Sequence, residues 1–378
     1  MADRLWDVAC ALHADPETAF EEHHAADRLC AELEWDGFTV DRGVAGMPTA
    51  FVAQAGTGGG PRIALLLEYD ALPGLGHACG HNLIAAAGLG AAIAAREAAG
   101  HAGTILAIGT PAEEGGGGKI IELGAGLFEG VDAALMFHPG TRNWSWAVLT
   151  AQVELRIAYH GRAAHPTGNP AEGIDALASL IQLFTTLSAL RQRLPAGSHI
   201  QGIVTRGGEA TNIVPDLAEG RFGLRALTTG ALQTLIGQVT AAAQGIAAAT
   251  AITVEVDQVR EPYAHFRPNE RLGARFDQHI ARHGITMTPP EPGVFLGSSD
   301  IGNISTAVPA IHPFVAIVDS DKSDHTPQFA AAAASGRGRH VMLAAADALG
   351  RTAVELLTDP ALRTAAWQEF QHRAAAGH

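Results

Sequence analysis

Four stretches of the chain carry side chains that can do chemistry. The first runs Glu68-Tyr-Asp70-Ala-Leu-Pro-Gly-Leu-Gly-His-Ala-Cys79-Gly-His81-Asn82. Cys79 and His81 stand two residues apart in a loop, a spacing that lets a thiolate and an imidazole face one cation. The second runs Gly109-Thr-Pro-Ala-Glu113-Glu114-Gly-Gly-Gly-Gly118-Lys119. Adjacent carboxylates on a loop point different ways, so one can bind a metal while the other stays free as a base. The glycines let backbone come close to such a site. The third and fourth are His138 and His325, the latter in Asp324-His325-Thr326-Pro327. Each alone has a bland reading: a buried thiol, a solvated acidic turn, a structural histidine. Together they supply five soft or borderline ligands and a spare carboxylate. A two-metal hydrolase needs that inventory: cations ~3.5–4 Å apart activate water and polarise a carbonyl, and the free carboxylate takes the proton.

Other chemistries compete. A phosphate loop of the form Gly-x4-Gly-Lys-Ser/Thr does not fit, because Glu113 and Ile120 occupy its positions and acidic residues repel phosphate. A thiol dyad of Cys79 and His81 needs an unusual loop, and the chain has no Gly-x-Ser-x-Gly elbow. A non-catalytic binding protein that keeps the fold is a third reading, against which the presence of Glu113 argues.

The elements that must position these residues are legible as apolar runs. Strands are expected at Arg62–Glu68, Thr104–Gly109, Ala133–Phe137 and Ala310–Val318, each followed by one of the four stretches. In open α/β sheets, ligands bind at such carboxyl ends. Residues 1–35 read as helical, with Asp15-Pro16-Glu17 as a helix start. Further helices are expected at Asn82–Ala99, Ile120–Leu127, Glu270–His283 and Gly338–Thr358, with a helical tail over 359–378. Between them the order changes. Gln152–Tyr159, His199–Thr205, Ala218–Leu227 and Ile252–Val259 read as strands, and Gly173–Leu194 and Gly230–Thr250 as helices, the β-α-β-β-α-β order of a ferredoxin-like domain. The expected fold is therefore α/β: a catalytic domain with a central sheet flanked by helices over 1–151 and 263–378, and an inserted ferredoxin-like domain over 152–262.

Composition bounds the function. A length of 378 residues suits two domains at roughly 100–200 residues each. Hydrophobic residues at 47% and charged residues at 17% describe a folded protein. The net charge of -14 argues against a nucleic-acid or anionic-membrane partner. Lys119 and Lys322 are the only lysines. No apolar run reaches the ~18–20 residues of a membrane span. The start, Met1 to Asp7, lacks the basic and apolar regions of a signal peptide. Cys10, Cys30 and Cys79 form no disulfide framework, so a cytoplasmic location is expected. Cys10 and Cys30 read as core positions of the first helix, and His13, His160 and His312 as structural.

The motifs Gly76-His-Ala-Cys-Gly-His81 and Pro111-Ala-Glu-Glu-Gly115, with the inserted domain, resemble the dinuclear metallopeptidases of peptidase family M20. Within it they resemble the aminoacylase-like amidohydrolase branch, with its auxin-conjugate and aminobenzoyl-glutamate hydrolases. The resemblance extends from Leu12-His-Ala-Asp-Pro-Glu17 to His325-Thr-Pro-Gln-Phe329. It implies two divalent metal ions (zinc, manganese or cobalt) on Cys79, His81, Glu114, His138 and His325, with Glu113 as general base and Asp70 supporting the ligands. It makes the inserted domain a lid and the seat of a homodimer. His165, in Gly161-Arg-Ala-Ala-His-Pro166, matches the lid histidine that reaches the scissile carbonyl in cis or from a partner subunit, as an oxyanion donor. Asn212 and Arg225 match positions that grip the substrate, Arg225 through a carboxylate. From residues alone, Arg225 reads as a strand-surface ion pair. Asn82, where many amidohydrolases have Asp, and Gly297-Ser-Ser-Asp-Ile-Gly-Asn303 are similar to the aminobenzoyl-glutamate and dipeptide hydrolase side. The implied activity is hydrolysis of the amide bond of a small N-acyl amino acid or dipeptide, with an aminobenzoyl-glutamate-type carboxypeptidase as the alternative.

Overall fold

The computed structural model describes residues 1–56, 58–100, 102–194 and 196–375. It divides into two compact units, residues 1–148 with the chain from Phe266 onward, and Leu149–His265.

The larger unit is built on a six-stranded sheet. Its elements before the smaller unit are α1 (Ala2–Ala14), α2 (His23–Trp35), β1 (Thr39–Arg42), β2 (Phe51–Gly56), β3 (Arg62–Leu67), α3 (His81–Ala99), β4 (Thr104–Gly109), α4 (Gly118–Gly124), β5 (Ala133–Leu135) and β6 (His138–Gly140). The smaller unit supplies β7 (Ala151–His160), α5 (Ala176–Arg191), β8 (His199–Arg206), β9 (Leu217–Ala226), α6 (Thr229–Thr250) and β10 (Thr253–Gln258). The chain then returns as α7 (Glu270–Ile280), α8 (Ile301–Ala307), β11 (Ala310–Ile311), β12 (Phe314–Ala316), α9 (Pro327–Ala333), α10 (Gly336–Thr358) and α11 (Pro360–Ala375). The expected tail helix is thus present as far as Ala375, and residues 376–378 lie outside the described ones.

The large sheet runs β1-β2-β4-β3-β5-β11. β3 is parallel to both β4 and β5, and β5 to β11. Ile63 to Leu67 are fully buried, as a central parallel strand covered on both faces must be. α3 lies close against β3. A Cβ on Gly88 would come within 3.0 Å of the Leu66 carbonyl oxygen and the Leu67 side chain. α10 packs against α3, where a Cβ on Gly350 would fall 3.3 Å from the Ala91 carbonyl oxygen. The α/β class expected from the sequence is present.

Three expectations need correction. Residues 1–35 are two helices, not one, and Asp15-Pro16-Glu17 does not start a helix. Asp15 closes α1, its N–H reaching the Ala11 carbonyl at 3.2 Å. Pro16 cannot donate the next bond and disfavours helical geometry at Asp15. Glu17 instead caps α2 from a distance, accepting the N–H groups of His24 and Ala25 at 3.0 and 2.9 Å. Second, Cys10 and Cys30 fall on different helices, and Cys10 is only half-buried. Third, the run Ala310–Val318 is two short strands. β11 pairs with β5 in the large sheet, then Pro313 interrupts, and β12 pairs with β6 in a separate two-stranded sheet. β5 ends at Leu135, and His138, which follows it, begins the next strand, β6.

The smaller unit has the order β-α-β-β-α-β, with an antiparallel sheet β10-β7-β9-β8. Leu155, Tyr159, Leu180, Phe222, Leu232 and Val239 belong to its core. Asp175 and Thr228 cap its helices, accepting from the N–H groups of Ala178 and Ala231. β8 is an edge strand on which Ile203 and Val204 are exposed. Among the described residues, no helix is long and apolar enough to cross a membrane.

The tight seat of α3 gives a stability prediction. Gly88→Val is expected to lower unfolding stability by about 1–3 kcal/mol through overpacking, read as a lower denaturant midpoint. An unchanged midpoint would show that α3 is not seated as described.

Candidate metal centre

Three of the four chemistry-bearing stretches converge because β3, β4 and β5 run parallel and discharge their loops at the same edge; the fourth, with His325, follows β12. Cys79 ends the loop after β3, and His81 is the first residue of α3. Gly80 between them has φ +81°, and a Cβ there would fall 2.5 Å from the Pro139 ring. Only glycine lets the Cys-x-His pair pass so near the His138 strand. Glu113 and Glu114 follow β4. Gly118 closes their loop, where a Cβ would lie 2.0 Å from the Pro111 carbonyl oxygen. His325 sits just before α9 with φ +54°, unusual for a residue with a side chain. Its N–H donates to the Ala78 carbonyl at 3.0 Å, which ties it to the cysteine loop.

The side chains meet in three overlapping groups: Cys79 with His81 and His138, Cys79 with Glu114 and His325, and His81 with Glu113 and Glu114. In each group the donor atoms lie within 4.8 Å of one another. Cys79 Sγ is 3.5 Å from His138 Nε2. His138 Nδ1 donates to the Pro139 carbonyl at 2.6 Å, which leaves Nε2 as the free lone pair of the neutral ring. His81 Nδ1 donates to Asp70, to its carbonyl at 2.9 Å and its carboxylate at 3.1 Å. That orients His81 Nε2, which is buried and has no hydrogen-bond partner among the described residues, 4.0 Å from Glu113 Oε2. The other oxygen of Asp70 accepts the Glu114 N–H at 2.9 Å. Glu114 Oε1 is 3.4 Å from His325 Nε2.

Burial dominates the electrostatics. It opposes charge on Asp70, but His81 beside it outweighs that and holds the carboxyl below its usual range. Burial pushes the Cys79 thiol far up and keeps His138 neutral, its affinity for a proton lowered. Burial, reinforced by Glu68 and Asp300, lifts Glu113 well above an ordinary carboxylate. The thiol, the imidazoles, the carboxylates and an orphaned, oriented His81 Nε2 fit a pair of divalent cations.

Sequence reasoning missed a buried ionic cluster behind this group. The Lys119 ammonium lies 2.6 Å from Glu68 Oε1 and 2.8 Å from Asp300 Oδ1, and all three side chains are essentially inaccessible. Asp300 also accepts the Lys119 N–H at 3.1 Å. Burial works against the ammonium, but the two carboxylates outweigh it and keep Lys119 protonated. Glu68 Oε2 is 3.6 Å from His81 Nε2, so the cluster abuts the candidate centre. A signal was present, since Lys119 is one of two lysines in a chain that otherwise uses arginine.

Asn82 is buried, and its amide donates to the Ala9 and Ala333 carbonyls, tying helices together. His165, Asn212 and Arg225 belong to the smaller unit and are exposed. His165 Nδ1 accepts the Gly168 N–H at 3.0 Å, so the neutral ring carries its proton on Nε2. His13 bonds the Ala330 carbonyl, and His160 lies 3.4 Å from Glu255. His312 packs edge-on to His138, ring centroids 5.4 Å apart.

With this geometry in hand, comparison with known proteins is informative. The pattern of peptidase family M20/M25/M40 matches residues 64–348. Xaa-Arg dipeptidase of Mus musculus is 35% identical over 386 residues, covering 98% of this chain and 89% of that protein. A p-aminobenzoyl-glutamate hydrolase polypeptide of Escherichia coli (strain K12) is 35% identical over 306 residues, 75% of this chain and 62% of that protein. A Bacillus subtilis protein, described as a dinuclear metal binding peptidase, shares the fold with a TM-score of 0.74 at 22% identity, over 95% of this chain and 98% of that one.

The ionic cluster makes a prediction of its own. Lys119→Met strands two buried carboxylates and is expected to cost about 3–5 kcal/mol of stability. Adding Glu68→Gln and Asp300→Asn should restore most of it, as read from denaturant unfolding of the single and triple variants. A single variant as stable as the parent would refute the ionic account.

Proposed function

The chain belongs to peptidase family M20/M25/M40, and from that membership we propose that it hydrolyses the amide bond of a small dipeptide or N-acyl amino acid with a free carboxylate. The observation that carries this is the convergence of Cys79, His81, Glu114, His138 and His325 with the Glu113 carboxylate beside them. Those five residues would hold two divalent cations, zinc, manganese or cobalt. When bound, the cations supply Lewis acidity, lowering the pKa of water and polarising a carbonyl.

The protein's own residues do the rest. Glu113 takes the proton from the attacking water and returns it to the leaving amine. Its raised proton affinity suits that return step. Asp70 fixes the tautomer of His81, and the Pro139 carbonyl fixes that of His138. The domain over 152–262 serves as a lid on a catalytic domain over 1–151 and 263–378. His165 donates from Nε2 to the developing oxyanion, and Asn212 and Arg225 grip the substrate, Arg225 through its carboxylate.

A dipeptide is favoured over aminobenzoyl-glutamate because the dipeptidase relative aligns over 98% of the chain and the aminobenzoyl-glutamate relative over 75%. The exposed edge of β8, with Ile203 60% accessible, supports a homodimer formed through the lid. The free thiols of Cys10, Cys30 and Cys79 suit a reducing cytoplasm.

Glu113→Gln is expected to lower turnover of a cleaved dipeptide by about 10²–10⁴-fold while metal content stays unchanged. Undiminished turnover would remove Glu113 from the reaction. Light scattering of the purified protein should give twice the chain mass, and a fully active monomer would exclude both the dimer and a His165 acting from a partner subunit.

A further inference from the structure

The segment 15–22, between α1 and α2, has no part in the reaction above, yet it touches both loops that carry the candidate centre. The Glu17 carbonyl accepts the Ala71 N–H at 2.7 Å, next to Asp70. Phe20, itself at φ +66°, lies so close to Gly116 that a Cβ there would come within 2.2 Å of its ring. Glu22 is completely buried, which is rare for a carboxylate unless its oxygens are satisfied. They are satisfied by an N–H and a hydroxyl: Ala112 N–H donates to Oε1 at 2.9 Å, and Thr49 donates to Oε2 at 2.9 Å.

We propose that Glu22 is a positioning residue for Glu113 and Glu114, acting through the backbone of Ala112. Ala112 immediately precedes Glu113 and is held at φ +60°, a left-handed conformation that is strained for a residue with a Cβ. It stays there because it is pinned at both ends. Glu22 holds its N–H, and its carbonyl accepts the N–H groups of Gly116 and Gly117 at 2.8 and 2.9 Å. Two residues on, Asp70 holds the Glu114 N–H. Glu113 is thus bracketed by two carboxylates gripping the backbone on either side of it. The Thr49 carbonyl accepts the Tyr69 hydroxyl at 2.6 Å, so Glu22 is also linked to the residue between Glu68 and Asp70. Burial, together with the Asp70 charge, lifts the Glu22 carboxyl to about 7. Gln therefore imitates the neutral acid in shape, whereas Asp keeps the charge but withdraws the oxygens from Ala112.

The inference rests on Glu113 being the base, and the test separates the two. Full-length E22Q, E22D and E113Q are compared with the parent for kcat, KM, thermal midpoint and the visible spectrum on titration with Co²⁺. E22Q should keep kcat within a few-fold. E22D should lose about 100-fold in kcat with KM little changed, the effect of a displacement near 1 Å at the reacting group. The cobalt spectrum, which reads the carboxylate at 114 without turnover, should shift in E22D and not in E22Q. Either change confined to E22D supports the proposal. E22D with the parent's kcat and spectrum, or E22Q impaired as severely as E22D, overturns it. E113Q with undiminished turnover overturns the parent reading instead, whatever the variants at 22 do.

Discussion

A dry interior tolerates ionised groups only where each is answered by another, and this requirement organises the larger unit. Glu68, Asp70 and Asp300 are all buried within reach of one another's neighbours. Lys119 answers two of them directly, and His81 answers the third. Without the ammonium, the end of β3 and the cap of α8 would each bring an acid into the same region with nothing to balance it. Once it is in place, the loops after β3 and β4 can approach, and the donors of the candidate centre share one space. His165, Asn212 and Arg225, which we propose contact the substrate, have no such arrangement around them and stand exposed on the smaller unit.

The second requirement is backbone that bends where regular structure cannot. Ala112 and His325 take left-handed conformations without being glycine; Ala112 adjoins the proposed base Glu113, and His325 is itself a candidate ligand. Local strain of this kind persists only when surrounding bonds over-determine it. Here the bonds are visible: Glu22 and the glycine turn at Ala112, and the Ala78 carbonyl at His325. The strained positions are therefore part of how the loops are aimed.

Much of this was legible in the chain. The apolar runs give the central strands and the α/β class, and the Cys-x-His and Glu-Glu stretches mark loops that the structure brings together. What failed to show was governed by proline and by long-range polar contacts. Pro16 divides a helix that periodicity alone joins, and Pro313 divides a strand into pieces serving different sheets. Glu17 and Glu22 look like ordinary surface acids beside a helix, because their partners, the α2 amides and Ala112, are fixed only by the tertiary fold. Lys119 was visible as a compositional oddity, but its partners Glu68 and Asp300 lie 51 and 181 residues away in sequence.

The donors are unequally sheltered. Cys79, His81 and His138 are buried, whereas the His325 side chain is half open to solvent. Its segment is tied to the cysteine loop through the backbone bond from the His325 N–H to the Ala78 carbonyl. A cation held by Cys79, Glu114 and His325 would therefore face a door, and one held by Cys79, His81 and His138 a wall. Two such ions would leave at different speeds, so dilution or a weak chelator would empty one place while the other still held.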